Sequence, residues 1–486
     1  MVHPAVRRGS GRAPATEGTA RTWPPPGYGG VVPDPGRPAT GPTRPDSPAA
    51  PAGRGPLAHV VVVGTGLAGV RTVLELRAQG FAGRVTVLGA EPVAPYDRPP
   101  LSKHLLDRPA PAWLADELGV DALAQADDVR LATRATGLRV HEDGVTVHTQ
   151  AGSVRADAVV VATGAAAVHP PAWPSALTLH TAADAQRLRE SLAGTGADGG
   201  PRRLVVIGAG WIGAEVATVA AAAGVDVTVV EARSVPLAAA LGERVGGLTA
   251  PWFAAAGVRL RTGVAVAAVD PGSGASSGAV TLADGTVLPA DVVLAAVGAR
   301  PATAWLAGPG TDAAGPDTPG APVPVDAVGA VVVDERHAPL DGSWRVRVVG
   351  DAARRRSPRH GWVPGGHWDA ALRGPAVAVA GLLGHEPAEP DLAPYVFSTQ
   401  LGHELALYGT PGVDDEVLLR GDPAAGDGWT ALWFAPGTDR LTAVFAVDRP
   451  RDVGGARRLL AGASLPVLDR ALAADPAVPL PRTVAG

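Results

Sequence analysis

The stretch that decides the fold is His59-Val60-Val61-Val62-Val63-Gly64-Thr65-Gly66-Leu67-Ala68-Gly69. A short, wholly apolar, β-branched run reads as a strand buried on both faces. The glycine turn after it leads into an apolar helix predicted over residues 66–79, and a second strand is predicted over 85–88, which makes a βαβ unit. The same grammar returns about 140 residues later as Arg203-Leu204-Val205-Val206-Ile207-Gly208-Ala209-Gly210-Trp211-Ile212-Gly213. There the helix is predicted over 211–223 and the next strand over 226–230.

In a G-x-G-x-x-G turn the first glycine permits a tight bend, the second lets backbone approach a pyrophosphate, and the third allows close helix packing. The free amides at the helix start then attract an anion. Gly64, Gly66, Leu67, Ala68 and Gly69 are predicted to hold one nucleotide, and Gly208, Gly210, Ile212 and Gly213 a second. Glu231 ends the strand after the second turn, where a carboxylate accepts from a ribose 2′-hydroxyl and repels a 2′-phosphate. NADH is therefore expected over NADPH, although Arg233 lies two residues on.

Outward from these units, 486 residues exceed one hydrophobic core. Hydrophobic content of 46% with 18% charged residues fits a globular chain. A formal net charge of -5 and a pI near 6.2 give no general attraction to nucleic acid or acidic membranes. No apolar run approaches the ~20 residues of a membrane span and no secretory signal is present, so the cytoplasm is the expected compartment. The absence of cysteine excludes disulfides, dithiol redox pairs and thiolate-ligated clusters, so any redox chemistry falls to an organic cofactor. No metal site is predicted.

Residues 1–56, rich in Pro, Gly, Ala and Arg, read as a disordered extension. Buried strands are predicted over 158–161 and 291–297, and exposed loops over 272–278 and 308–324. Strands over 416–420, 430–434 and 441–447, then a helix from Val453, describe a small α+β tail.

Pro95-Tyr96-Asp97-Arg98-Pro99-Pro100-Leu101-Ser102-Lys103 follows the first unit, with Ser102 expected to cap a helix. With the glycine turn before it, this string resembles the signature of the ferredoxin-reductase-type flavoproteins of the pyridine nucleotide-disulfide oxidoreductase superfamily. The resemblance continues in order through Ala162-Thr163-Gly164, Gly298-Ala299-Arg300-Pro301, Gly350-Asp351-Ala352, His367-Trp368-Asp369-Ala370-Ala371 and Ala474-Asp475-Pro476, covering the chain from about residue 57 to its end. It implies an α/β fold of two Rossmann-like FAD/NAD(P)-binding domains plus a C-terminal α+β domain. The FAD-binding domain would take residues 57–166 and 299–390, the NAD(H)-binding domain 167–298 and the C-terminal reductase domain 391–486.

The resemblance further implies FAD and NADH as cofactors. Arg98, Lys103, Ala162, Thr163, Gly164, Gly298 and Asp351 would lie along them, Trp368 near the isoalloxazine, and a Lys103–Glu215 ion pair near flavin N5. Gly89 stands where such folds ordinarily carry an acid, which leaves Glu91 as the carboxylate for the adenosine ribose. The implied activity is hydride transfer from NADH to flavin, followed by single-electron transfer to a [2Fe–2S] ferredoxin serving a cytochrome P450 or a ring-hydroxylating oxygenase. The alternatives are a rubredoxin or other small-acceptor reductase, and an NADH-responsive regulatory flavoprotein like apoptosis-inducing factor. A monomer or homodimer is expected. Arg354, Arg355, Arg356, Arg359 and His360 would form a basic rim steering an acidic ferredoxin.

Overall fold

The computed structural model describes residues 57–196, 199–272, 278–307, 323–340, 343–389 and 391–485. The predicted extension over 1–56 and most of the two predicted loops lie outside them. Among the described residues no helix is long and apolar enough to cross a membrane.

The first unit is a five-stranded parallel sheet ordered Val346–Val348, Ala158–Val161, His59–Val63, Arg84–Leu88, Asp128–Arg130. Val60, Val61 and Val62, like Val159, Val160 and Val161, are wholly buried, as central parallel strands covered on both faces must be. On one face lie helix α1 (Leu67–Ala78) and a late helix described below, with Val73 and Leu76 meeting Ala378, Val379 and Leu382. On the other lies a three-stranded antiparallel sheet, Ala135–His141, Gly144–Thr149 and Gly152–Ala156, packed through Val145 and Val147. A four-residue helix, α2 (Pro100–Lys103), carries the proline-rich signature. Ser102 falls inside α2, and the residue at its N-terminal boundary is Pro99, so the expected serine cap is corrected: consecutive prolines already fix the backbone there.

The second unit orders its parallel strands Arg259–Arg261, Asp226–Val230, Arg203–Ile207, Val292–Ala295 around helix α3 (Trp211–Ala222), with its own antiparallel three-stranded layer. The predicted strand over 291–297 shortens to Val292–Ala295, and Gly278, expected in a loop, begins the strand Gly278–Leu282. The chain enters and leaves this unit through one antiparallel ribbon, Ala165–Ala167 against Ala299–Pro301.

After that ribbon the chain returns to complete the first sheet and forms helix α4 (Trp368–Leu383), which packs along α1. The tail is a five-stranded antiparallel sheet ordered Tyr395–Gln400, His403–Gly409, Leu441–Val447, Trp429–Phe434, Glu416–Arg420. Its first two strands are absent from the sequence reading, because YVFSTQ lacks strict alternation. The fold class is the one expected from the sequence: two nucleotide-binding α/β units and a C-terminal α+β unit.

Candidate functional site

The two glycine turns form matching cradles. Gly64 has φ +116, and a Cβ there would stand 2.2 Å from the Ala162 carbonyl oxygen. One at Gly69 would stand 1.9 Å from the Gly64 oxygen. In the second turn Gly208 has φ +108, and a Cβ on Gly213 would lie 2.1 Å from the Gly208 oxygen. By contrast Gly66 and Gly210, the N-terminal boundary residues of α1 and α3, face open space within 4 Å and offer no side-chain cap. Each turn is therefore closed beneath by backbone and open above, with uncapped helix amides facing outward, which suits a dinucleotide pyrophosphate. Leu67 and Ala68 are buried and offer backbone alone, whereas Ile212 stands half exposed at the second mouth.

Beside the first cradle, the Ala162-Thr163-Gly164 turn leaves the buried Thr163 hydroxyl with no hydrogen-bond partner, a polar atom available to a bound group. Gly298, φ +118, closes the corresponding turn of the second unit. Gly89 has a physical reason: a Cβ there would meet the Thr65 side chain at 2.7 Å, so a larger residue would have to displace it. Glu91 stands at the cradle edge instead, accepting from the Tyr96 hydroxyl at 2.6 Å and from Arg98 at 2.9 Å. Arg98 also donates to the His180 carbonyl at 2.5 Å, so the predicted arginine and glutamate are direct partners. Burial, with Arg98 adjacent, pushes the His180 imidazole down to about 4.

Asp351 is the middle residue of a single 3-10 turn, Gly350–Ala352, and accepts from the Gly366 amide at 2.8 Å. Gly350, φ +65, brings this turn against Ala68 of α1, so the aspartate sits beside the first cradle. Trp368 begins α4, and its Nε1–H donates to Asp97 at 2.8 Å. Burial pushes the Asp97 carboxyl up to about 6, against that hydrogen bond.

The second cradle carries Glu231. One carboxylate oxygen accepts from the Ala209 amide and the other from the Arg233 amide, both at 2.8 Å, which neutralises local donors and holds the turn. The Lys103 ammonium, on α2 of the first unit, pairs with Glu215 in the first turns of α3 in the second, with side-chain exposures of 14% and 4%. Ser102 donates to the other Glu215 oxygen at 2.5 Å. The Lys103 ammonium lies 5.3 Å from the Phe397 ring centre, and that ring meets Trp368 edge-on at 6.0 Å. Phe397 thus stands between Lys103 and Trp368, and Glu215 is reached only through the lysine. Lys103 is the only lysine in the chain, the other 41 of its 42 basic residues being arginine, a compositional signal the sequence reading passed over.

The expected basic rim is corrected. Arg355 and Arg359 turn inward onto Asp391 at 2.8 and 2.9 Å, and burial beside Arg359 pushes His360 down to about 4, leaving it neutral. Arg354 leans toward Asp326, and Arg356 is exposed. An aspartate more than thirty residues downstream engages two of the four arginines that the local run offers.

A model of the pyridine nucleotide-disulphide oxidoreductase family matches residues 58–363, and a Reductase C-terminal model matches residues 395–484. The chain is 34% identical over 425 residues to the ferredoxin–NAD(+) reductase subunit of the benzene 1,2-dioxygenase system of Pseudomonas putida, covering 83% of this chain and 92% of that protein. It is 32% identical over 411 residues to rhodocoxin reductase of Rhodococcus erythropolis, covering 83% and 89%. It also resembles the crystal structure of a covalent putidaredoxin reductase–putidaredoxin complex, with a TM-score of 0.76, 29% identity, and coverage of 88% of this chain and 98% of that one.

Proposed function

The chain belongs to the pyridine nucleotide-disulphide oxidoreductase family, and on that premise we propose that it is an FAD-containing, NADH-dependent ferredoxin reductase working in the cytoplasm. The family's chemistry runs on FAD and a pyridine nucleotide. Bound FAD supplies acceptance of a hydride and release of electrons singly. The Lys103–Glu215 pair carries the reading, because it joins the first unit to the start of α3, just after the second cradle, and holds a part-buried ammonium there. The first cradle, with Thr163, Glu91, Arg98 and Asp351, holds the flavin nucleotide. The second, with Glu231 at its ribose edge, holds NADH and disfavours a 2′-phosphate.

Trp368, tied to Asp97, forms a wall of the flavin site and keeps water from it. The chain has no cysteine through which a disulfide substrate could be reduced, so electrons leave the flavin for an external acceptor. Relatives with ferredoxin–NAD(+) reductase and putidaredoxin reductase in their names support a ferredoxin as that acceptor, which in this reading is a [2Fe–2S] protein serving a ring-hydroxylating oxygenase or a cytochrome P450.

The test is anaerobic mixing of the yellow holoprotein with NADH or NADPH, following flavin bleaching and then reoxidation by a [2Fe–2S] ferredoxin. Fast bleaching by NADH and fast reoxidation are expected. Slow bleaching, or a reduced flavin indifferent to ferredoxin, would replace this reading with the regulatory one.

A further inference from the structure

Three parts of the chain meet at Glu215. Ser102 and Lys103 come from the proline-rich signature of the first unit, Glu215 itself from α3 of the second, and Ser398 from the first strand of the C-terminal sheet. Ser398 is 1% exposed and donates to Glu215 Oε1 at 2.5 Å, the same oxygen that receives Lys103. Its own oxygen accepts from the Gln400 amide at 3.2 Å, which leaves its proton for the carboxylate. A second stitch fixes this geometry: the Leu401 amide donates at 2.8 Å to Thr218, which shares a face of α3 with Glu215.

We propose that Ser398 is a positioning residue of the flavin site, through which the C-terminal domain fixes the Glu215 carboxylate and hence the Lys103 ammonium. With both oxygens anchored, Ser102 on Oε2 and Ser398 on Oε1, the carboxylate plane cannot pivot. With Ser398 reduced to a methyl group, Oε1 keeps only the lysine, and carboxylate and ammonium swing together. The C-terminal domain is then a component of the electrostatics around the reacting centre as well as a covering layer. The proposal rests on the ferredoxin-reductase reading for its kinetic consequence, and on the observed contacts alone for its structural one.

The experiment compares the FAD-loaded full chain with its Ser398→Ala and Ser398→Thr variants. Because Lys103 is the only lysine, trace labelling with an amine reagent reports this one side chain, with the α-amino group as internal standard. Ser398→Ala is expected to label Lys103 at least ~3-fold faster than wild type, and to slow flavin bleaching by NADH ~10-fold at unchanged NADH affinity. Ser398→Thr, which keeps the hydroxyl, is expected to restore both. Unchanged Lys103 labelling in Ser398→Ala overturns the proposal, whatever happens to the rate. Should the wild-type holoprotein fail to be bleached by NADH, the functional reading falls, and labelling still decides the role of Ser398.

Discussion

Replacing Glu215 by Gln keeps the shape of the side chain and removes its charge, leaving the Lys103 ammonium in a site where its side chain is only 14% exposed. Two unit charges about 4 Å apart at an effective dielectric of ~20 attract by about 4 kcal/mol. That sets the scale of what the pair invests in holding the ammonium, and it corresponds to about 10³ in rate. A loss of ~10²-fold in the rate constant for flavin reduction by NADH is expected, the size typical of removing one preorganised electrostatic group. If Glu215 acts through Lys103, then Lys103→Met should cost a similar factor, and the double variant should be no slower than Lys103→Met alone. The coupling energy in this cycle is then about 2.7 kcal/mol, the second substitution being almost silent. Single-turnover stopped-flow measurements on the four holoproteins under anaerobic conditions supply all the numbers. Multiplicative effects, with the double variant slower by ~10⁴, would show that the two residues act independently and would refute the argument from the ion pair.

Glu231→Ala removes the acceptor for the Ala209 and Arg233 amides together with the charge that repels a 2′-phosphate; the ratio of NADH to NADPH efficiency is expected to fall ~10-fold or more, and an unchanged ratio would dismiss the assignment. Gly213→Ala drives a methyl group to 2.1 Å from the Gly208 oxygen, so NADH affinity should drop ~10–100-fold while FAD is retained; equal loss of both would mean that the two cradles are not separate. Asp97 has a folded-state value near 6 against 3.8 for the unfolded chain, so its contribution to stability is fully present below about pH 4 and is lost as the pH rises through 6. Relative to Asp97→Asn, the denaturant midpoint of the apoprotein should decline from pH 4 to pH 7.5, equivalent to about 3 kcal/mol, and a flat difference would count against a buried, protonating Asp97.

The glycine turns were legible because everything that makes them work is local: a strand, a turn and a helix start lie within eleven consecutive residues. The fold class followed from seeing that grammar twice. The pairing of Lys103 with Glu215 came from resemblance, since no spacing rule connects side chains so far apart in sequence. Ser398 escaped notice because its strand, an edge strand with an irregular burial pattern, carries no alternation to read. The arginine run at 354–359 misled for the opposite reason. Its charge was visible, and its distant neutralising partner, Asp391, was not. Glu91 lies between these cases: the missing acid at Gly89 was plain, but the crowding by Thr65 that disfavours one needed coordinates.

Because the strand Val346–Val348 pairs with Ala158–Val161 across the whole second nucleotide unit, the first sheet keeps an open edge during synthesis until residue 348 has left the ribosome. The second unit is contiguous, has a buried cluster of its own and closes far shorter loops, so it is expected to fold first. Pulsed hydrogen exchange during refolding should protect the amides of 204–207 before those of 159–161, and the reverse order would contradict this. A nascent chain stalled before residue 346 would already own the cradle for the electron donor while lacking a finished seat for the cofactor that receives the electrons.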